Sequence, residues 1–276
     1  MRLDSGWSSL RIVLGFFVCA VWTGSALAQH LSFDELAERV ASEITKADAK
    51  SVAVVDFLSA NGQKSDLGWY LASKLSDDLL AKAKNFRILD RAELTDTKIS
   101  AEDVASAESL RRIGSTWGVE TIVTGVVEIS ADRYLVAVTL RRAADGGLIA
   151  TASQVLPHSR ILDLLSPAGA DVGGAKPVGA GVMGVGVPSC TYCPVPGYSD
   201  EARKARIQSA TVVLMVTISA KGTAEKISVM KSPGYGLAEK AIETVSDWKF
   251  RPAPGKDGAP VSVAVPVEVA FRSSRT

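Results

Sequence analysis

The stretch Pro260-Val-Ser-Val-Ala-Val-Pro-Val-Glu-Val-Ala-Phe271 decides how this chain is read. Val261, Val263, Val265, Val267, Val269 and Phe271 share one parity, and mostly small or polar residues fill the other. Apolar residues at a period of two describe a strand with one buried face. Pro266 stands inside it and has no N–H, so a place between two neighbouring strands would lose a ladder bond. The strand is therefore expected at a sheet edge, with Pro266 turned to the open side and the odd-numbered residues bonded inward. An open edge accepts a strand from a partner.

Upstream, Ala210 to Ser219 alternates Val212, Leu214, Val216 and Ile218 against Val213, Met215 and Thr217. Ala220-Lys-Gly-Thr223 then turns the chain, and Ala224 to Lys231 returns as the second strand of a hairpin. Beyond Ser232-Pro-Gly234, the residues Leu237, Ala241, Val245 and Trp248 follow at spacings of four, four and three, which predicts one apolar helix face. A short helix precedes the hairpin. Ser199 serves as its N-cap, Asp200 and Glu201 sit in the positive first turn, and Arg203, Lys204 and Arg206 sit near the negative end.

These residues resemble the C-terminal domain of the TonB family. The resemblance is carried by Tyr198 with Glu201-Ala202, the Gly222 turn, Val229 to Gly234, Leu237 with Ala241, Trp248-Lys-Phe-Arg-Pro252, and Gly258-Ala-Pro-Val261 leading to Val269-Ala-Phe271. Two departures stand out: Ser199 replaces the usual proline after tyrosine, and Lys231-Ser-Pro-Gly234 replaces a Ser-Ser-Gly-like turn. The resemblance implies a three-stranded antiparallel sheet with helices packed on it, with Tyr198, Gly222, Trp248, Phe250, Pro252 and Phe271 as structural motif positions. It also implies that the final strand pairs with a short extended peptide from an outer-membrane transporter. The partner-facing residues expected are Ser262, Ala264, Glu268 and Ala270, with Pro266 interrupting the register. The competing expectation is a domain that dimerises or packs on its own chain.

The chain has 276 residues, 47% of them hydrophobic, which is enough for about two domains with modest cores. Its net charge of +1 gives no basic bias, and the few aromatics are not interleaved with basic runs, so nucleic acid is excluded as a partner. Arg2 and Arg11 precede the apolar run Ile12 to Trp22, and Thr23-Gly-Ser-Ala-Leu-Ala28 has a small-x-small ending. Residues 1–28 read as a secretory signal cleaved after Ala28, with periplasmic export as the consequence. An uncleaved inner-membrane anchor facing the periplasm is the alternative, since the apolar run approaches the roughly 17 residues a spanning helix needs. Only with an anchor would inner-membrane motor proteins be partners. Cys19 leaves with the signal, and Cys190-Thr-Tyr-Cys193 then stands in an oxidising compartment where a disulfide is expected. A reduced or intermolecular thiol pair is the alternative. Zinc would need more ligands than His30 and His158 supply, and Pro194 and Pro196 oppose the helix a redox motif requires.

Residues 32–157 read as an α/β domain with a mixed sheet, which makes the whole chain α+β. Ser32-Phe-Asp-Glu35 opens a helix to about Lys46, and Ser51 to Phe57 is a nearly continuous apolar strand, the kind covered on both faces. A helix from Asp66 to about Lys84, a strand at Phe86 to Asp90, and a helix from Ser100 to about Thr116 follow. Glu120 to Ile129 is a further strand, and Tyr134 to Arg142 with Leu148 to Val155 forms a hairpin. This stretch is similar to the FlgO, CsgG and TolB N-terminal group through Val52-Ala-Val-Val-Asp-Phe57, Ile88-Leu-Asp-Arg-Ala-Glu-Leu94 and Gly118 to Gly125. The similarity implies envelope assembly or scaffolding. Asp56, Asp90, Arg91 and Glu93 are polar residues at strand ends, where carboxylates cap helices or pair with arginines.

Residues 158–187 read as a Gly- and Ala-rich linker after one short helical turn at Ser159 to Leu165, with residues 188–276 as the C-terminal domain. At roughly 25–30 Å of random-coil reach it is a short tether. No nucleophile with a base, no metal cluster and no cofactor loop is legible, so neither catalysis nor a cofactor is expected. The functional expectation is a periplasmic protein that binds an outer-membrane transporter peptide by strand addition. The alternative is an envelope scaffold whose C-terminal module forms a homodimer or docks another envelope protein.

Overall fold

The structure, a computed structural model, describes residues 33–89, 94, 101–166, 178–181 and 184–272. The expected signal segment, Asp90, Arg91 and Glu93 lie outside these residues. In the first unit α1 (Phe33–Lys46) buries Phe33, Leu36, Ala37, Val40 and Ile44, the stripe that spacings of three and four produce. β1 (Ser51–Val54) is the apolar strand, and the chain leaves the ladder before β2 (Leu58–Ser59). α2 (Asp66–Lys82) starts at Ser65, whose hydroxyl accepts from the Gly68 N–H at 3.0 Å. Gly68 touches Phe57 so closely that a Cβ there would lie 2.0 Å from the Phe57 carbonyl oxygen. Next come β3 (Arg87–Ile88), α3 (Ala101–Ala105), α4 (Ala107–Trp117), β4 (Thr121–Ile129), β5 (Arg133–Arg142) and β6 (Leu148–Pro157).

The strands order as β3-β1-β4-β5-β6, with β2 also on β4. β1 runs parallel to β3 and β4, and β4, β5 and β6 are antiparallel, so the sheet is mixed as expected. Val52 and Val54 face a core shared with α1 and α2, whereas Ala53 and Val55 face Leu110 and Ile113 of α4. That two-sided burial is why the strand reads as a continuous apolar run. The single helix expected from Ser100 to Thr116 is two: Ser106 leaves helical geometry (φ −92°, ψ 126°) and its hydroxyl accepts from the Ser109 N–H, capping α4.

Past β6, α5 (Arg160–Leu165) starts at Ser159, whose hydroxyl accepts from the Leu162 N–H at 3.3 Å, and it buries Leu162, Leu164 and Leu165. The second unit holds β7 (Val178–Gly179), β8 (Ser189–Tyr192), α6 (Asp200–Lys204), β9 (Ser209–Ile218), β10 (Ala224–Lys231) and α7 (Leu237–Ser246). It closes with β11 (Lys249–Arg251), β12 (Ala253–Pro254), β13 (Pro260–Val261) and β14 (Val263–Arg272). The three antiparallel strands β10, β9 and β14 form its sheet, with α7 packed on it, and β7 adds a short parallel fourth strand beside β14. Trp248 falls beyond the end of α7, not on its last turn. The helix stops at Asp247 because Lys249 to Arg251 is taken into a two-stranded ladder with β8.

The two units share a core. α5 packs against α2, β10 and α7, and Leu71, Leu75, Leu164, Ile227, Leu237 and Ile242 belong to one connected apolar cluster. Among the described residues no helix is long and apolar enough to cross a membrane.

Candidate partner-binding edge

β14 is paired with β9 along its whole length, from Val263 opposite Ile218 to Arg272 opposite Ser209, without a bulge. Pro266 lies inside this run, opposite Met215. Both backbone groups of a residue in an antiparallel ladder point to the same side, and the sides alternate. Unbroken pairing therefore requires the Pro266 nitrogen to face away from β9. The amides of Ala264, Glu268, Ala270 and Arg272 share its parity and face away from β9, with Ala264 opposite Gly179 of β7. Burial follows the same alternation: Val263, Val265, Val269 and Phe271 are buried and Val267 is half-buried, whereas Pro266, Glu268 and Ala270 are exposed. Ala264 is half-buried, and so is Ser262, which precedes the strand.

The opposite edge of this sheet is taken. An Asp66 carboxylate oxygen at the start of α2 accepts from the Val229 N–H of β10 at 3.2 Å, and α5 lies along β10. On the β14 side, β7 pairs with Val263 and Ala264, and among the described residues no strand lies beside Glu268 to Arg272. Nothing in the local sequence of Asp66 or Val229 signals this contact, which joins residues 163 positions apart.

The motif residues build the support behind the edge. Tyr198 meets Phe271 edge to face, with ring centroids 5.8 Å apart. Gly222 has φ 76°, its carbonyl accepts from the Phe250 N–H at 2.9 Å, and a Cβ there would fall 1.9 Å from the Phe250 carbonyl oxygen. Pro252 flanks the same turn. The Trp248 indole N–H donates to the Pro194 carbonyl at 3.1 Å, and its ring lies 6.1 Å from Phe250. Phe250 is in turn the register partner of Cys190, which is disulfide-bonded to Cys193 with the Cα atoms 6.1 Å apart. The Trp-Lys-Phe segment thus holds the disulfide loop, and the Thr191 hydroxyl adds a 2.9 Å bond to the Lys249 carbonyl.

The first departure, Ser199, bonds to the residue that follows the second. The Ser199 hydroxyl accepts from the Ala202 N–H at 3.2 Å and donates to the Tyr235 carbonyl. Gly234, Tyr235 and Gly236 all have positive φ (81°, 56° and 65°), and Tyr235 is a residue for which that region is costly. Ser199 ties the strained turn to the cap of α6.

Polar side chains elsewhere form local pairs. Asp56 lies 3.9 Å from the Lys64 ammonium. Asp163 of α5 accepts from the Tyr134 hydroxyl at 2.7 Å and lies 2.6 Å from Nδ1 of His158. That hydrogen bond raises the His158 pKa above its ordinary value, and burial, with Asp163 adding to it, raises that of Tyr134. Among the described residues no group of three or more His, Cys, Asp or Glu side chains is placed to hold a metal ion.

Residues 194–273 match the family model described as Gram-negative bacterial TonB protein C-terminal. No curated protein sequence matches the chain. Among solved structures the chain is similar to the LpoB C-terminal domain from Salmonella enterica, at 11% identity and TM-score 0.34 over 46% of this chain and 99% of that one. It is similar to lipoprotein GNA1162 from Neisseria meningitidis, at 16% identity and TM-score 0.32 over 40% of this chain and 81% of that one. TolB from Acinetobacter baumannii gives 16% identity and TM-score 0.27 over 66% of this chain and 35% of that one. Likenesses this distant assign no family to the first unit. From the motif residues gathered behind β14 and the match that spans them, residues 194–273 are a TonB-type C-terminal domain.

Proposed function

We propose that this is an exported, periplasmic TonB-like protein that takes an extended peptide of an outer-membrane transporter onto the open edge of β14. The observation that carries the reading is a long unbroken strand whose outward row includes Pro266, in a sheet whose other edge is bonded to Asp66. Backbone groups of Ala264, Glu268, Ala270 and Arg272 supply affinity, and the flanking side chains select the sequence. Neither metal nor cofactor has a part in this function, and no bond of the partner is cleaved.

A proline at Ala270 removes one outward N–H without touching the bonds to β9, so the domain keeps its fold. Titration of transporter peptides by fluorescence anisotropy should show binding lost in Ala270→Pro and, for peptides long enough to pass Pro266, weakened in Ala264→Pro, with unchanged thermal unfolding. Unchanged binding in both variants would remove β14 from the account.

A second reading, an envelope scaffold, is favoured by one observation: α2 and α5 pack against the second unit. In that reading β14 pairs with a second copy. Size-exclusion chromatography with light scattering separates the two readings, since a stable dimer that hides β14 leaves no edge for a transporter peptide.

A further inference from the structure

The open edge of β14 is divided in two. Pro266 removes the outward donor between Ala264 and Glu268, so an added strand meets one half at Ala264 and a second at Glu268, Ala270 and Arg272. The first half is occupied by the chain itself: β7 runs parallel to β14, with Val178 opposite Val263 and Gly179 opposite Ala264. The chain that follows β7 is fastened nearby, because the Gly181 N–H donates to the Val185 carbonyl at 3.0 Å and the Gly186 N–H donates to the Pro254 carbonyl at 2.8 Å. Nothing pairs with the outer side of Glu268 to Arg272 among the described residues.

Resting on the strand-addition reading above, we propose that the linker is a tethered competitor for the partner-binding edge, closing its first half and leaving only Glu268 to Arg272 open. A short peptide that pairs with the open half binds without opposition. A strand long enough to pass Pro266 must first displace β7, and this selects partners by length. The covering strand suits that task. It is two residues long and contains Gly179, so it forms few bonds and packs little, yet its tether keeps it near the edge at an effective concentration in the millimolar range. If β7 is docked about nine-tenths of the time, a competing strand binds about tenfold more weakly than to the bare edge. The arrangement also states the direction of addition: parallel to β14, with small residues opposite Ala264.

The test compares the full chain with its Val178→Pro/Gly179→Pro variant, in which both N–H groups of β7 are lost and the proline rings oppose its docking. Amide exchange is followed by NMR. The Ala264 amide should exchange at least about tenfold faster in the variant, with Glu268 and Ala270 unchanged; equal Ala264 rates in the two proteins overturn the proposal. Gly179→Cys/Ala264→Cys provides a second route, because register partners sit at bridging distance. Its intramolecular disulfide should form under mild oxidation and block the linker-sequence peptide Lys-Pro-Val-Gly-Ala-Gly (residues 176–181) from shifting the resonances of residues 262–265. In the proline variant that peptide should shift them at least about tenfold more readily than in the wild type. Absence of the crosslink, or equal peptide binding by wild type and proline variant, contradicts the tethered competitor. Failure of the underlying reading looks different: transporter peptides would leave Glu268 and Ala270 unprotected while the Ala264 exchange difference stands.

Discussion

At the scale of single residues, Gly222 and Ser199 carry the most physical content. Gly222 is constrained twice, by a left-handed backbone and by the Phe250 carbonyl that fills the space of a Cβ. Gly222→Ala should therefore cost about 2 kcal/mol or more, measured by urea unfolding, because the backbone of β11 has to move. Ser199 stands where the family usually has proline, and its backbone (φ −69°) already suits proline. Ser199→Pro nevertheless gives up the cap on α6 and the bond to Tyr235, so the familial residue should destabilise this chain by about 1–2 kcal/mol. A neutral or stabilising result in the same urea assay would mean the Ser232–Gly236 turn holds its own shape. The sequence marked both departures as separate oddities. The bond from Ser199 to Tyr235, the residue after the second departure, was not legible, since it joins residues 36 positions apart through one hydroxyl.

At the scale of elements, long periodic segments were readable and short ones were not. β9, β10 and β14 lie where alternation predicts them, but the edge position that Pro266 predicts for β14 holds only in part, because the short strand β7 lies beyond Val263 and Ala264 and leaves the outer side of Glu268 to Arg272 without a strand among the described residues. β7, β8, β12 and β13 have two to four residues, too few for a period to show. Trp248 fitted the helical spacing of α7 and was assigned to it wrongly, since a spacing of three continues a pattern whether or not the backbone does. α5 was expected only as a turn ahead of a tether, and its role as the joint between units depends on partners far away in sequence. That joint is held by Asp163, shared between Tyr134 and His158. The His158 pKa lies above its ordinary value of 6.5 in the folded chain, so its contribution to stability is complete below that value and is lost as pH rises through the folded pKa. Urea unfolding at pH 6 and pH 8 should show wild type losing stability with rising pH more than His158→Asn does; parallel losses would show that His158 does not anchor α5.

At the scale of the whole molecule, the apolar core runs from α1 through α2 and α5 to β14, which predicts one cooperative unfolding transition for residues 33–272. Leu165, buried to 2% exposure in α5, is the place to break it. Leu165→Ala should cost about 3 kcal/mol and split the calorimetric transition in two; a wild type that already shows two transitions would mean the units do not share a core. The joined core commits β10 to the first unit, so the proposed strand addition rests on the part of β14, Glu268 to Arg272, beside which no strand lies among the described residues. The central claim is tested most directly by residue-resolved amide exchange along β14, with and without a saturating transporter peptide. Protection of Glu268 and Ala270 on binding, with Val265 and Val269 unchanged because they are already bonded to β9, is the predicted result. Binding that leaves Glu268 and Ala270 exchanging at their free rate would contradict strand addition at this edge.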